Sequence, residues 1–299
     1  MFKKLIGPAS FYKTLLALAI PIMIQNGITN FVNMLDNIMV GSLSAPEMTA
    51  VAVCNQLFFV FNLCVFGMVS GAGIFGSQFF GKEDFEGLKH TFRFKILSCS
   101  LLAALCIFLF LFFGKNMVML YLTGEGSPED IAATIEYAKQ YISIMVIGFI
   151  PVAITQSFSS TLRETGRTRL PMYASLAAVI VNLTFNYLLI YGSLGFPRLG
   201  VKGAAIATVL GQIVAMFLAI LLHHKCNKEV ILDYKRIFRP DFKTIGAIYS
   251  VALPSIVMQS IGSIMVFLLN KILLSFNEVA AAVFGIYFKL QSFVFMPIF

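Results

Sequence analysis

Tryptophan is absent from this sequence of 299 residues, and charge is scarce, with Asp, Glu, Lys and Arg together making up 12%. Soluble domains carry about 25% charged residues, so the composition excludes an ordinary water-surrounded globule. A hydrophobic content of 59% and a mean hydropathy of +0.87 are those of a polytopic membrane protein. Without Trp, the aromatics for a membrane interface are tyrosines, and Tyr121, Tyr137, Tyr187 and Tyr191 lie near the ends of apolar runs. Cysteine is sparse and odd in number, five in all (Cys54, Cys64, Cys99, Cys106, Cys226), with no CxxC pair. That pattern excludes a disulfide framework or a thiolate metal site and leaves packing as its role. No cleavable leader is legible, because the apolar run behind the basic N-terminus is too long and lacks a small-residue cleavage site. HExxH, a Ser–His dyad and paired carboxylates within apolar runs are all missing, which argues against an enzyme.

What remains is a series of long apolar runs at roughly 15–42, 50–80, 95–120, 137–162, 171–192, 203–223, 244–274 and 279–299. Each is long enough to span a bilayer. The fold class expected is all-α, a polytopic membrane protein of about eight transmembrane helices. The net charge of +8 reads as topology rather than nucleic-acid binding. With the N-terminus inside, sixteen Lys and Arg fall on the inner side and five on the outer, with Lys289 inside the last run. The inner flanks include Lys89, Arg93 and Lys95 in one loop and Arg163, Arg167 and Arg169 in the next. The positive-inside rule therefore predicts a cytoplasmic N-terminus in a cell (inner or plasma) membrane.

A shift of 233 residues lays Ala252-Leu-Pro254 on Ala19-Ile-Pro21 and Asn270 on Asn37. Six spans separate the copies, so both have the same orientation, which is one known transporter plan. This predicts a six-helix lobe over 1–235 and the first two helices of an incomplete second lobe over 236–299. The run to Phe299 ends in apolar sequence with no basic flank, and an N-terminal fragment is the expectation.

Acid is rarest of all inside the apolar runs, where Asp36 stands alone. A carboxylate at membrane depth costs roughly 2.5–3.5 kcal/mol unless it is protonated, paired or bound to a cation. Asn26, Thr29, Asn30, Asn33 and Asn37 recur with it at spacings of three, four and seven, marking one face of a helix. Pro21 removes a backbone hydrogen bond fifteen residues earlier and is a candidate hinge. Asn182 and Asn186 share a face of the fifth run, as Thr208 and Gln212 do on the sixth. One carboxylate with neutral amide and hydroxyl oxygens suits Na⁺, or a proton on Asp36 itself, better than a divalent ion.

Other patterns fail on context. Gly71-Ala-Gly73-Ile-Phe-Gly76 has the dinucleotide spacing but follows no strand, so small-residue helix packing explains it. In Gly76-x4-Gly81-Lys82 the next residue is Glu83 rather than Ser or Thr, so the phosphate loop is incomplete. His90, His223 and His224 have no carboxylate constellation and read as solvated or headgroup-facing. Lys289, deep in the eighth run, is either functional or snorkelling.

Five stretches in order resemble the multidrug and toxic compound extrusion (MATE) family. They are Asn33-Met-Leu-Asp36-Asn-Ile-Met-Val-Gly41, the glycine-rich Ser70–Gly81, Leu162-Arg-Glu-Thr-Gly166-Arg-Thr-Arg169-Leu-Pro171, Asn182–Gly192 and Leu199–Thr208. The resemblance implies efflux of small amphipathic, often cationic compounds across a lipid bilayer, by antiport against Na⁺ or H⁺. It implies alternating access, with no cofactor beyond the coupling ion, no nucleic acid, and a monomer when full length. It casts Asp36, Asn182, Asn186 and Thr208 as the cation site, with a possible Na⁺ at Asp36. Asn26, Asn33, Gln259 and Lys289 are the further candidates for lining the path. Some family members carry Asp where this sequence has Asn186, and a Glu on the seventh helix where it has only Gln259. A lipid-linked oligosaccharide flippase of the same superfamily is the rival reading.

Overall fold

In the computed structural model the described residues are 8–122, 127–230 and 245–251, with scattered positions beyond. They are helical throughout, with no strand among them. The elements are α1 (Ala9–Val40), α2 (Ala45–Gly81), α3 (Phe85–Tyr121), α4 (Pro128–Met145), α5 (Phe149–Glu164), α6 (Arg169–Tyr191) and α7 (Val201–Cys226). α4 and α5 are one traverse, Pro128–Glu164, interrupted by a 3-10 turn at Val146–Gly148. Six traverses are thus long and apolar enough to cross a membrane among the described residues. They correspond to the first six apolar runs. Most of 236–299, including Gln259, Lys289 and Asn270, lies outside the described residues.

Helices are the required solution here, because a chain in hydrocarbon must satisfy its own backbone groups. Their starts are set by polar caps that lie well before the apolar runs. The Ser44 N–H donates to Glu47 Oε2 at 3.1 Å in a capping box ahead of α2. Asp84 accepts from the Gly87 N–H at 2.9 Å at the start of α3, and Ser127 with Pro128 opens α4. α3 has 37 residues, about 55 Å of helix, and so runs far past a hydrocarbon core of about 30 Å.

α6 and α7 form the most extensive pair, α2 packs against α3, α4 and α5, and α1 leans chiefly on α6. The core is aromatic where α2, α3 and α5 meet. Phe61 stacks on Phe149 with centroids 4.4 Å apart, while Phe58 contacts Phe110 and Phe149 at 5.2 and 5.3 Å. Phe149 is the first residue after the 3-10 turn, so this cluster pins the interruption in place.

Two readings of basic residues are corrected. Lys95 is not a flank residue but is fully buried in α3. Its Nζ donates to Glu164 Oε1 and Oε2 at 2.7 and 2.8 Å and to Thr161 Oγ1 at 2.7 Å. Ser160 Oγ donates to the same carboxylate. Glu164 therefore joins Asp36 as an acid within the bundle, and it needs room on α2. A Cβ added to Gly76 would collide with Glu164 Oε2, and one at Gly73 would meet Oε1 at 3.1 Å. The glycine spacing that imitates a dinucleotide motif thus serves to admit this ion pair.

His223 is likewise not solvated. It is fully buried between Phe92 and Phe158, with ring centroids 4.8 and 5.1 Å away, and its Nε2 lies 2.9 Å from the Val230 carbonyl. The turn after α7 folds back over it, which no local pattern in the sequence announces.

Candidate functional site

α1 and α6 bring Asp36 and Asn186 together across 150 positions of chain. Asn186 Nδ2 donates to Asp36 Oδ1 at 2.7 Å. Asn186 and Asn182 are both buried, one turn apart on α6, as the i, i+4 spacing requires. Asn182 has two settings of its amide. In one, Nδ2 donates to Thr208 Oγ1 at 3.4 Å and Oδ1 accepts from Asn186 Nδ2 at 3.4 Å. Turned over, its nitrogen donates to Asp36 Oδ1 and Oδ2 at 3.1 and 3.2 Å, the better partner for a carboxylate. All four residues expected at a cation site are therefore neighbours.

Asp36, Asn186 and Thr208 wall a cavity of about 380 Å³ whose lining also includes Asn33, Asn37, Asn55, Asn62, Tyr141 and Gln212, whereas Asn182 is not part of that lining. Asn33 is exposed to it, while Asn26 is not part of the lining and lies nearly three turns away on α1. Pro21 is buried farther along α1, and the helix continues unbroken through it. Asn55, Asn62 and Tyr141 were not singled out from sequence. The two asparagines are seven apart in an apolar run, a spacing that marks one helix face. Tyr141 gave no such signal; it is buried, with its Oη donating to Asn55 Oδ1 at 3.2 Å.

The chemistry of this wall is that of an acceptor-rich site with one negative charge. Asn186 Oδ1 and Gln212 Oε1 are both buried with no hydrogen-bond partner among the described residues. A buried carbonyl oxygen left without a partner costs about 1–3 kcal/mol, so such atoms mark a place where a cation or water belongs. Gln212 lies against Gly148 at the 3-10 turn, where an added Cβ would overlap its Oε1. Hard oxygen donors around one carboxylate fit a monovalent cation, and no group of three or more His, Cys, Asp and Glu is present among the described residues.

Two expected outcomes follow from these contacts. Asn186→Ala removes the unpartnered Oδ1 from the acceptors around Asp36, and losing an interaction with a charged group of about 1.5–3 kcal/mol is expected to shift any ion dependence of the complete gene product to roughly 10- to 100-fold higher ion concentration. Gly148→Ala crowds Gln212 and lowers stability by about 1–3 kcal/mol, and adding Gln212→Ala recovers most of that loss in a detergent unfolding titration.

Comparison with known proteins follows the same lines. The MatE family model matches residues 21–188, the stretch that carries Asp36, Asn182 and Asn186. The chain is 27% identical over 287 residues to "Probable multidrug resistance protein NorM" of Thermotoga maritima, covering 96% of this chain and 60% of that protein. It is 26% identical to "Probable multidrug resistance protein YoeA" of Bacillus subtilis, covering 96% and 61%. Among solved structures, a MATE protein in the straight conformation superposes with a TM-score of 0.84 at 25% identity, over 96% of this chain and 62% of that one. A structure in the bent conformation superposes at 0.82 and 25%, with the same coverage. The chain spans about three fifths of the length of these relatives. With a family model matching more than half its residues and the same helical fold in solved members, this multi-pass membrane chain belongs to the MatE family.

Proposed function

We propose that this chain supplies the first lobe, and the start of a second, of an ion-coupled efflux transporter for small amphipathic, often cationic compounds. The observation that carries this is the Asp36–Asn186 contact at 2.7 Å in a cavity whose remaining acceptors, Asn186 Oδ1 and Gln212 Oε1, lack donors. In this reading the coupling ion, Na⁺ or H⁺, neutralises Asp36, with Asn182, Asn186 and Thr208 supplying neutral oxygens. The names of the relatives in Thermotoga maritima and Bacillus subtilis support multidrug efflux over lipid-linked oligosaccharide flipping.

Neutralising Asp36 releases the amides from a carboxylate and changes what holds α1 against α6, the helix it leans on most. Pro21 gives α1 a missing backbone bond at which to bend. The existence of relatives solved in straight and bent conformations supports a cycle in which ion binding biases two shapes of one lobe. The excess of Lys and Arg on one side of the six traverses supports a cytoplasmic N-terminus. Ethidium efflux from cells carrying the complete gene, with the Na⁺ and proton gradients collapsed separately, tests the proposal. Efflux that stops with one gradient supports coupling; efflux indifferent to both rejects it. The 299-residue chain expressed by itself is expected to give no ion-dependent efflux in the same assay.

A further inference from the structure

The Asp36 cavity is one end of a longer feature. On α2 its wall is formed by Val51, Asn55, Phe58 and Asn62. Ser70, Gly73 and Ser77 continue that stripe at helical spacing and wall a second cavity, of about 300 Å³, against Ser160, Arg163 and Glu164 of α5. Asn62 and Gly73 are eleven residues apart, about 16 Å along the helix, and Phe66 between them is exposed rather than packed shut. α1 reports the same separation. Gln25, whose Oε1 accepts from Arg163 Nη2 at 3.5 Å, precedes Asp36 by eleven residues. A carboxylate therefore stands at one end of a polar stripe and a guanidinium at the other.

Arg163 is the unsatisfied member of the second cavity. Its Nε is buried with no partner among the described residues, and its hydrogen bond to Gln25 is long. No carboxylate forms a salt bridge with it among the described residues, because Glu164 next to it is engaged by Lys95 and Ser160. Glu164 attracts the Arg163 guanidinium through space, but its oxygens are already held by Lys95 and Ser160, so Arg163 Nε is left without an acceptor among the described residues. A guanidinium stays charged at any working pH, and its planar fork matches a carboxylate with two parallel hydrogen bonds. Serine hydroxyls at positions 70 and 77 supply further donors at the same wall.

We propose that Arg163 is an oxyanion-binding residue of the cleft, taking the carboxylate of amphipathic substrates that bear one. This rests on the reading of the cleft as a path for amphiphiles, and it names the residue that holds the acidic group of a molecule carrying both signs of charge. A molecule about 16 Å long engages Asp36 and Arg163 together; a shorter one meets them in turn. Continuity of the stripe with the Asp36 cavity favours a transported molecule over a lipid headgroup as the occupant.

The test compares rhodamine B, a zwitterion, with its ethyl ester, a cation that lacks the free carboxylate, binding to the purified chain by fluorescence polarisation. The wild type is expected to bind rhodamine B at least 10-fold more tightly than the ester. Arg163→Gln is expected to erase that preference while leaving the affinity for the ester unchanged, which also shows the variant to be folded. Arg163→Lys is expected to restore part of it. A wild type without preference, or an Arg163→Gln variant that keeps it, overturns the proposal. Nanodiscs of phosphatidylcholine and of phosphatidylglycerol separate the sources of the oxyanion. Preference kept in both belongs to the small molecule, whereas its loss in phosphatidylglycerol means that a lipid phosphate occupies Arg163 and overturns the proposal too. Ion coupling at Asp36 is read by Na⁺ and pH dependence, so either result can fail without the other.

Discussion

Asp36→Asn is expected to abolish ion-driven ethidium efflux, down to the level of cells without the transporter, while the protein still reaches the membrane. Asparagine has the same shape and keeps an oxygen for the Asn186 Nδ2 that now donates at 2.7 Å, so packing between α1 and α6 persists. What disappears is the negative charge. At an effective dielectric of about 20, two unit charges 4 Å apart interact by about 4 kcal/mol, which corresponds to roughly a thousandfold in ion affinity. The neutral amides of Asn182 and Asn186 and the Thr208 hydroxyl do not replace that attraction, and none can be neutralised by a proton. If the variant protein pumps ethidium with normal Na⁺ or pH dependence, Asp36 is not the coupling residue.

The second large effect is on stability. Lys95→Met is expected to destabilise the bundle by about 3–5 kcal/mol, because it strands Glu164 as a buried charge without its partner. Glu164 is 5% exposed and Lys95 not at all, and the pair is bonded through both carboxylate oxygens. The double variant Lys95→Met with Glu164→Gln is expected to recover most of the loss, since replacing both members of a buried pair is often close to neutral. Unfolding of the purified chain by denaturing detergent, followed by helical circular dichroism, reads both. Equal stability of the single variant and the wild type would mean that water reaches Glu164.

The helices were legible in the sequence because hydrocarbon leaves a long apolar run no alternative. Their starts were less so. The first four runs begin five to ten residues after the helices do, since capping residues such as Ser44, Asp84 and Ser127 are polar and lie outside any apolar window. Asn182, Asn186 and Thr208 were legible by i, i+4 spacing together with the family resemblance, and Asp36 by its cost alone. The Lys95–Glu164 pair was not, because its members are 69 positions apart and each sits at the edge of an apolar run, where charge is ordinary. Tyr141 drew no reading from the sequence; only the packing of α2 against α4 brings its hydroxyl to Asn55. His223 was misread for the same kind of reason, since the turn that buries it lies beyond the helix that carries it.

Direct ion binding tests the central claim with the fewest intermediates. The purified chain and its Asp36→Asn variant are equilibrated with radioactive sodium, and in a separate titration proton uptake from a weak buffer is followed as acid is added. Saturable, stoichiometric uptake of Na⁺, or of a proton at the same site, by the wild type and none by Asp36→Asn is the predicted result. Equal uptake by the two proteins would contradict it and remove Asp36 from the ion site.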